Sequence, residues 1–396
     1  MKRLYLKKGE ERRLRIGHQW IFNNEVDTDK SSLHDFTPGE TVTVCNSGGS
    51  PVASAYVHPS SLIAARVISL EPDVPFNAEL LHRRISEALA MREMIFDKPY
   101  YRMVFAEADW LPGLIVDRYG DVLVAQLTTA GTEAVKRDIT AVLKDLINPR
   151  GILYRNDSAN RRLEGLHSYV ETAYGDVPAK LEIEENGVRF LAPLTEGQKT
   201  GWFYDQRINR RDFASFAKGK RVLDAFCYAG GFGVTAAAAG AEQTTFLDAS
   251  PLALETAEAN ARLNNVSGSI KTVEGDALET LTKLRDQGRR YDVICVDPPA
   301  FIKRRKHQKQ GLKAYHKVNE LAMELVEDGG IVMSCSCSQH LSADDLRRVL
   351  NHAAGKTDTR IQTLIHGHQG PDHPVHPAMP ETNYLKTFTV RVNRTS

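Results

Sequence analysis

Cysteine is scarce in this chain. The five present, Cys45, Cys227, Cys295, Cys335 and Cys337, are odd in number and sit mainly in apolar, strand-like runs, which excludes a disulfide framework. Long apolar runs are missing as well; none approaches the roughly 20 residues needed to cross a bilayer, so no membrane partner is expected. The first residues, MKRLYLKKGEERRLR, lack an apolar signal core, and a cytoplasmic protein is expected. Charge of one sign is not in excess either: the net charge is +1, which argues against indiscriminate binding of polyanions. Metal-ligand patterns are absent. Cys335-x-Cys337 has no second Cys/His pair nearby, and His366, His368, His373 and His376, accompanied by Asp372, match no common ligand spacing. No metal is expected, and the histidines read as a Gly/Pro-rich loop before the last strand.

What is present describes an ordinary globular protein, 42% apolar and 26% charged, long enough for two or three domains. Residues 1–72 form a small β-rich module, with short β-branched runs at RLYL, TVTV, VASAY and LIAARVI separated by PGE and NSGGS turns. Residues 73–180 hold a helix over Ala78–Ile95, a hairpin turning at Tyr119-Gly120-Asp121, an amphipathic helix from Thr132 to Ile147 and the strand ILYRND. From 181 to 396 strands alternate with helices, the pattern of a parallel α/β sheet, and YLKTFTVRV ends it as an antiparallel strand. Charge is clustered although the total cancels. Met1–Arg15 carries seven Lys/Arg against two Glu, and Pro299–Lys317 carries seven Lys/Arg and no acid. Such segments create local fields that phosphates feel. Arg12, Arg13 and Trp20 in the first, and Lys303, Arg304, Arg305 and Lys306 in the second, are therefore candidate RNA contacts.

The richest stretch is VLDAFCYAGGFG, Val222–Gly233: an apolar strand ends at Asp224, and a glycine-rich turn runs into an alanine-rich helix. In open α/β sheets, ligands lie beyond the carboxyl ends of the strands. Gly230, Gly231 and Gly233 would let the backbone approach a ligand without interference from Cβ. Asp248, twenty-four positions after Asp224, ends the next strand, where a carboxylate can accept hydrogen bonds from ribose hydroxyls or cap the following helix. Asp276 ends the third strand, either at an adenine edge or as the N-cap of a helix beginning near Ala277. A dehydrogenase would also use an acid at Asp248. However, the turn is not GxGxxG, and nicotinamide enzymes do not predict Asp297-Pro298-Pro299 on the fourth strand. The order favours S-adenosylmethionine (SAM), with Asp224, Phe226, Tyr228, Gly230, Gly231, Asp248, Ala249, Ser250, Asp276, Ala277, Asp297 and Pro298 as candidate cofactor residues.

The two prolines fix the chain beyond a buried strand and hold Asp297 rigidly, which suits the polar edge of a flipped or single-stranded base. Phe301 either stacks on that base or packs in the core. A thiol sets the reaction type. Cytosine C5 is a poor nucleophile, and methylating it requires transient addition at C6, for which thiolate is suited. Cys337, at the end of GIVMSCSCS on the strand after Asp-Pro-Pro, is the candidate nucleophile. Cys295 reads as core, and Cys335 lies about 6–7 Å deeper on the same strand.

The motifs GHQWIF, DWLPGLIVDRYGD, EGQKTGWFYDQR, DAFCYAGGFG, LDAS, DPPAF, SCS and DHPV run along nearly the whole chain. With them the chain resembles the RNA cytosine-C5 methyltransferases of the bacterial large-subunit ribosomal RNA methyltransferase I class. The resemblance implies an α/β fold: a Rossmann-like class I methyltransferase domain (181–396), an N-terminal PUA β-barrel (1–72) and a central α+β domain (73–180). It also implies that Tyr204, Asp205, Gln206 and Arg207 line the cofactor pocket and that Cys337 attacks the base. The expected substrate is 23S ribosomal RNA, naked or in an early assembly intermediate. Many relatives outside this class carry DPPC, whereas Ala300 stands at the fourth position here, which leaves the base that removes the C5 proton unidentified. Methylation of guanine N7, or a non-catalytic RNA-binding assembly role, are the alternatives, and whether the chain acts as a homodimer stays open.

Overall fold

The computed structural model describes residues 1–195 and 201–395; residues 196–200, which include the EGQKT part of the approach motif, lie outside them. Packing divides the chain into two units. One comprises Met1–Leu181, Ala192–Tyr204 and Pro371–Thr382; the other comprises Glu182–Leu191, Asp205–Gly370 and Asn383–Ser396.

The first unit begins with β1 (Lys2–Tyr5), α1 (Glu11–Arg15), β2 (Trp20–Phe22), β3 (Thr41–Cys45), β4 (Pro51–Val57) and β5 (Ile63–Ser69). The strands form one sheet in the order β1-β3-β4-β5-β2, with β1 and β3 parallel. Its core is made of Leu4, Val42, Val44, Ala53, Ala55, Ala65 and Val67 with Leu14 of α1. β2 and α1 were not expected, because three and five residues are too few to display a period.

The unit continues with α2 (Ala78–Ile95), β6 (Tyr100–Phe105), β7 (Leu114–Tyr119), β8 (Val122–Leu127), α3 (Ala130–Ala134), α4 (Lys136–Ile147), β9 (Gly151–Asn156) and β10 (Tyr169–Gly175). The second sheet runs β10-β9-β8-β7-β6. The hairpin turns where expected, whereas the helix expected over 132–147 is two helices: α3 is capped by Thr129, and Val135 leaves helical geometry at φ −102°, ψ 19°. A hairpin of β11 (Lys180–Glu185) and β12 (Val188–Pro193) follows.

The second unit contains α5 (Arg207–Ala214), β13 (Arg221–Ala225), α6 (Gly231–Ala238), β14 (Gln243–Asp248), α7 (Pro251–Leu263), β15 (Ile270–Glu274), α8 (Ala277–Asp286) and β16 (Tyr291–Val296). It is completed by α9 (Gln308–Leu325), β17 (Val326–Ser336), α10 (Ala343–Lys356), β18 (Thr359–His368) and β19 (Lys386–Arg394). The sheet order is β15-β14-β13-β16-β17-β19-β18. The first five of these strands are parallel; β19 pairs antiparallel with both β17 and β18. Parallel strands are buried on both faces, which is why VLDA, TFL and VICV are nearly unbroken apolar runs. Because β13–β17 point the same way, Asp224, Asp248, Asp276, Asp297 and Cys337 all fall at one edge of the sheet.

One expectation is corrected here. His366 and His368 are not in a loop but on β18, opposite Phe388 and Lys386 of β19, and the His366 ring stacks on Phe388 at 4.4 Å. An edge strand can carry polar side chains because one side of its ladder and much of its surface face water. The Gly/Pro-rich loop begins only after His368. No helix among the described residues is long and apolar enough to cross a membrane.

Candidate active site

At the end of β13, Asp224 is buried, and its Oδ2 accepts a hydrogen bond from the Gly233 backbone N–H at 2.8 Å. Its Oδ1 is buried without a hydrogen-bond partner among the described residues. Burial pushes the Asp224 carboxyl up to about 7; the Gly233 N–H opposes this, and the nearby Asp297 adds to it. The turn that follows is strained: Phe226 and Tyr228 have φ of 64° and 49° without being glycine. Such backbone persists where surrounding contacts over-determine it, and it clusters at functional sites. The contacts are on hand, since Phe226 N–H and Cys227 N–H both donate to Leu247 O and Tyr228 N–H donates to Asp248 Oδ2 at 3.0 Å.

The glycines of the turn also have a packing reason. A Cβ on Gly233 would lie 2.1 Å from Phe246 Cε1, and one on Gly230, at φ +75°, would lie 2.8 Å from Ala257 Cβ. A Cβ on Gly231 would meet Arg210 Nε at 2.6 Å. These absent side chains make room for protein atoms, so that α6 can close onto β14 and α7.

Asp248 ends β14 and holds the loops on both sides of it, accepting from Tyr228 N–H and from Ser250 N–H at 2.9 Å. The N-cap of α7 is Ser250, not Asp248; its side chain accepts from Ala253 N–H, and Ala249 is exposed beside it. Asp276 is the N-cap of α8, its Oδ1 accepting from Leu278 and Glu279 N–H, and it is exposed with Ala277 buried behind it. At the tip of β16, Asp297 Oδ2 accepts from Gln206 Nε2 at 3.0 Å, and Asn209 in turn donates to Gln206 Oε1 at 2.6 Å. Pro298 is buried and Pro299 exposed. Tyr204 is found in the first unit, buried beneath Tyr119, with its hydroxyl donating to Arg118 O at 3.0 Å.

Four of the five thiols are buried, and Cys337 alone is partly exposed. Cys295 and Cys335 belong to the apolar cluster between the sheet and α5–α6, where Thr387 Oγ1 lies 3.5 Å from Cys335 Sγ. Cys337 is the first residue beyond β17. The residues on either side of it are pinned: Ser336 Oγ and Ser338 Oγ both lie 2.8 Å from the Tyr315 hydroxyl of α9. Ser338 Oγ also accepts from Ile302 N–H at 3.2 Å, which ties the DPPAF loop to the SCS turn. Phe301 is half-buried, its ring 4.9 Å from Tyr315 and 6.3 Å from Phe226. Lys386, at the start of β19, donates to Ser338 O at 2.6 Å and is 8% exposed. Neither Tyr315 nor Lys386 was singled out from the sequence. The signal for the lysine was there, because Lys386 shares the alternating face of Phe388, Val390 and Val392, all core residues.

The candidate RNA residues divide into two groups. Lys303, Arg304, Arg305 and Lys306 are exposed on the segment entering α9 and form no ion pair among the described residues. Arg12 is exposed on α1, but Arg13 is ion-paired with Glu25 and lies over the Phe22 ring. Trp20, the third candidate of that segment, is half-buried, as is Phe22; the Trp20 indole N–H donates to Glu107 Oε1 at 2.9 Å. Phe22 N–H donates to Glu25 Oε2 at 2.8 Å, so both residues are tied to carboxylates within the first unit. Among the described residues, no group of three or more His, Cys, Asp or Glu side chains could hold a metal ion.

Comparison with known proteins agrees with this arrangement. A family profile for SAM-dependent methyltransferases matches residues 121–373, and one for PUA-like domains matches residues 4–70. The chain is 36% identical over 395 residues to a ribosomal RNA large subunit methyltransferase I of Shewanella frigidimarina, covering 98% of this chain and 99% of that one. It is 35% identical to the protein of the same name from Erwinia tasmaniensis, with the same coverage. The chain belongs to the ribosomal RNA large subunit methyltransferase I family. A solved chain from Streptococcus mutans, assigned as a SAM-dependent methyltransferase, shares the fold at TM-score 0.83 and 22% identity, covering 99% of this chain and all of that one. A second solved methyltransferase, in complex with S-adenosylhomocysteine, overlays at TM-score 0.85 and 22% identity with the same coverage. This family member is thus a SAM-dependent methyltransferase with a PUA-like N-terminal domain. Its strand-end residues fit that cofactor: acidic side chains at three successive tips suit hydroxyl and amine donors, and Asp224 Oδ1, buried with no hydrogen-bond partner among the described residues, stands just before the strained turn at Phe226 and Tyr228.

Proposed function

We propose that this enzyme transfers a methyl group from SAM to C5 of a cytosine in 23S ribosomal RNA, through a covalent bond between Cys337 and C6. The observation that carries the reading is the setting of Cys337. It is the one thiol not buried, it lies past the end of β17 next to the Asp297 tip of β16, and its turn is bonded to the DPPAF loop. The relatives' names support ribosomal RNA as the substrate, and the unpaired basic segment 303–306 supports contact with phosphates.

In this reading, Asp248 holds ribose hydroxyls and Asp276 with Ala277 the adenine edge. Phe226, Tyr228, Gly230 and Gly231, next to Gln206, Asp297 and Pro298, form the rest of the cofactor wall. SAM supplies an electrophilic methyl group on a sulfonium sulfur. Asp297, oriented by Gln206, meets the N3 edge of the cytosine, and Phe301 flanks the ring. Cys337 thiolate adds to C6, and the electron pair displaced from the ring makes C5 nucleophilic. Once C5 carries the methyl group, loss of its proton restores the double bond, the Cys337–C6 bond breaks, and thiolate returns. Residues 1–72 hold RNA as a PUA module, 73–180 connect and shape it, and 181–396 carry the chemistry. Naked 23S RNA or an early assembly intermediate is the expected substrate form.

Nucleosides from unmodified 23S RNA treated with enzyme and SAM test the proposal by mass spectrometry. 5-Methylcytidine, lost with Cys337→Ala, is the expected product. 7-Methylguanosine, or unimpaired 5-methylcytidine formation by the variant, would overturn it.

A further inference from the structure

The polar cluster around Cys337 contains a group that the mechanism has not used. Lys386 begins β19, and its register partners are Ser336 on β17 and His368 on β18, so it enters the sheet beside the last residue before the thiol. Lys386 is 8% exposed as a residue; its ammonium donates to Ser338 O at 2.6 Å and has no carboxylate within ion-pair distance among the described residues. Ser336 and Ser338, which bracket the cysteine, are both held by Tyr315. The thiol is thus pinned from α9 on one side and β19 on the other.

A buried ammonium is costly unless something offsets it. The titratable groups on the elements beside it are Cys337 after β17, Tyr315 on α9 and His368, its register partner on β18; of these, Cys337 acts on its charge. Burial holds the Lys386 ammonium down to about 8, and the Cys337 thiolate acts against that shift. Tyr315 is itself pushed up by burial and stays neutral. At neutral pH Lys386 is therefore a cation beside the Cys337 turn, and a neighbouring Lys stabilises a thiolate.

We infer that Lys386 is a positioning residue, the charge partner that holds Cys337 as thiolate and fixes the SCS turn against β19. The inference rests on Cys337 being the attacking group in the reaction proposed above. The thiol proton leaves to water, Lys386 keeps its own, and the ion pair that remains is the reactive form.

The test is the pH profile of Cys337 alkylation by iodoacetamide, followed on the Cys337 peptide by mass spectrometry in the wild type, Lys386→Met and Lys386→Arg. The other four thiols are buried and serve as internal controls. The midpoint is expected to rise by at least one pH unit in Lys386→Met and to stay near the wild-type value in Lys386→Arg. The pH dependence of kcat/KM for methyl transfer is expected to follow the same order. Lys386→Met removes a buried charge and should fold; Lys386→Gln, which keeps a donor for Ser338 O, provides a second neutral variant. An unchanged midpoint in either folded neutral variant overturns the inference. Because alkylation needs no RNA, a shifted midpoint together with methylation at another base would leave the Lys386–Cys337 pair standing and refute the cytosine assignment instead.

Discussion

Two strands of the candidate site's edge, β13 and β19, bury an ionisable group each, with opposite consequences. At the β13 end, burial raises the Asp224 carboxyl to about 7; at the β19 end, it lowers the Lys386 ammonium to about 8. The cause is the same, loss of water around a charge. The neighbours differ. Asp224 has further carboxylates nearby, Asp297 and Asp248, and its bonded oxygen serves the Gly233 backbone. Lys386 has a thiol. Desolvation beside like charge gives a group that prefers to be neutral and supports a turn; beside a group able to take the opposite charge, it gives a reactive pair.

Substitutions can break this comparison. The largest effect is expected at the thiol end: Cys337→Ala should lower methyl transfer on the order of 10⁴-fold or more while leaving SAM affinity within a few-fold. Calorimetry with the cofactor and single-turnover kinetics would check the two halves of that statement. Loss of cofactor binding together with activity would mean that the thiol end is not separate.

Next is Asp224→Asn, read as stability against pH without cofactor. The folded carboxyl keeps its proton up to about pH 7, while the unfolded one releases it near 3.8. Stability from this group is therefore full at acidic pH and is lost as pH rises through about 7, up to on the order of 4 kcal/mol across the window. Asn cannot ionise, so wild type should lose ground relative to the variant between pH 4 and 8 in urea melts. A flat difference would contradict the burial argument.

A smaller effect is expected from Gly233→Ala. The added Cβ meets Phe246 and Thr244, and the cost is about 1–3 kcal/mol of stability, measured by denaturant melts, with weaker SAM binding as the turn shifts. Neutral stability would show that α6 has slack against β14. Smallest is the basic segment. Replacing Arg304 or Arg305 by Gln should reduce the salt slope of RNA binding by about 1 for each phosphate no longer neutralised, with little change in kcat.

Much of this edge was legible in the sequence because parallel strands announce themselves. Each of VLD, TFLD and VICVD ends on the acidic residue that the fold delivers to the strand-end edge, and Cys337 stood apart from Cys295 and Cys335 by its place at a strand end. Three things were not legible. β18 is written in polar residues, RIQTLIHGH, since an edge strand is defined by its partner β19 and not by its own apolar pattern. The packing role of Gly230 and Gly233 depends on Phe246 and Ala257, which come later in the chain. The burial of Lys386 could be read from its alternation with Phe388, Val390 and Val392, but its place beside the thiol could not; only the register of β19 against Ser336 brings it there. Long-range pairing, more than local propensity, decided what was missed.

The most direct measurement uses 23S RNA carrying 5-fluorocytidine, whose C5 cannot lose a proton, incubated with the enzyme and SAM and then digested for mass spectrometry. The expected result is a methylated fluorocytidine bonded to the peptide containing Cys337, absent from Cys337→Ala. Turnover of ordinary RNA with no such adduct, or an adduct on another residue, would contradict the proposed attack by Cys337.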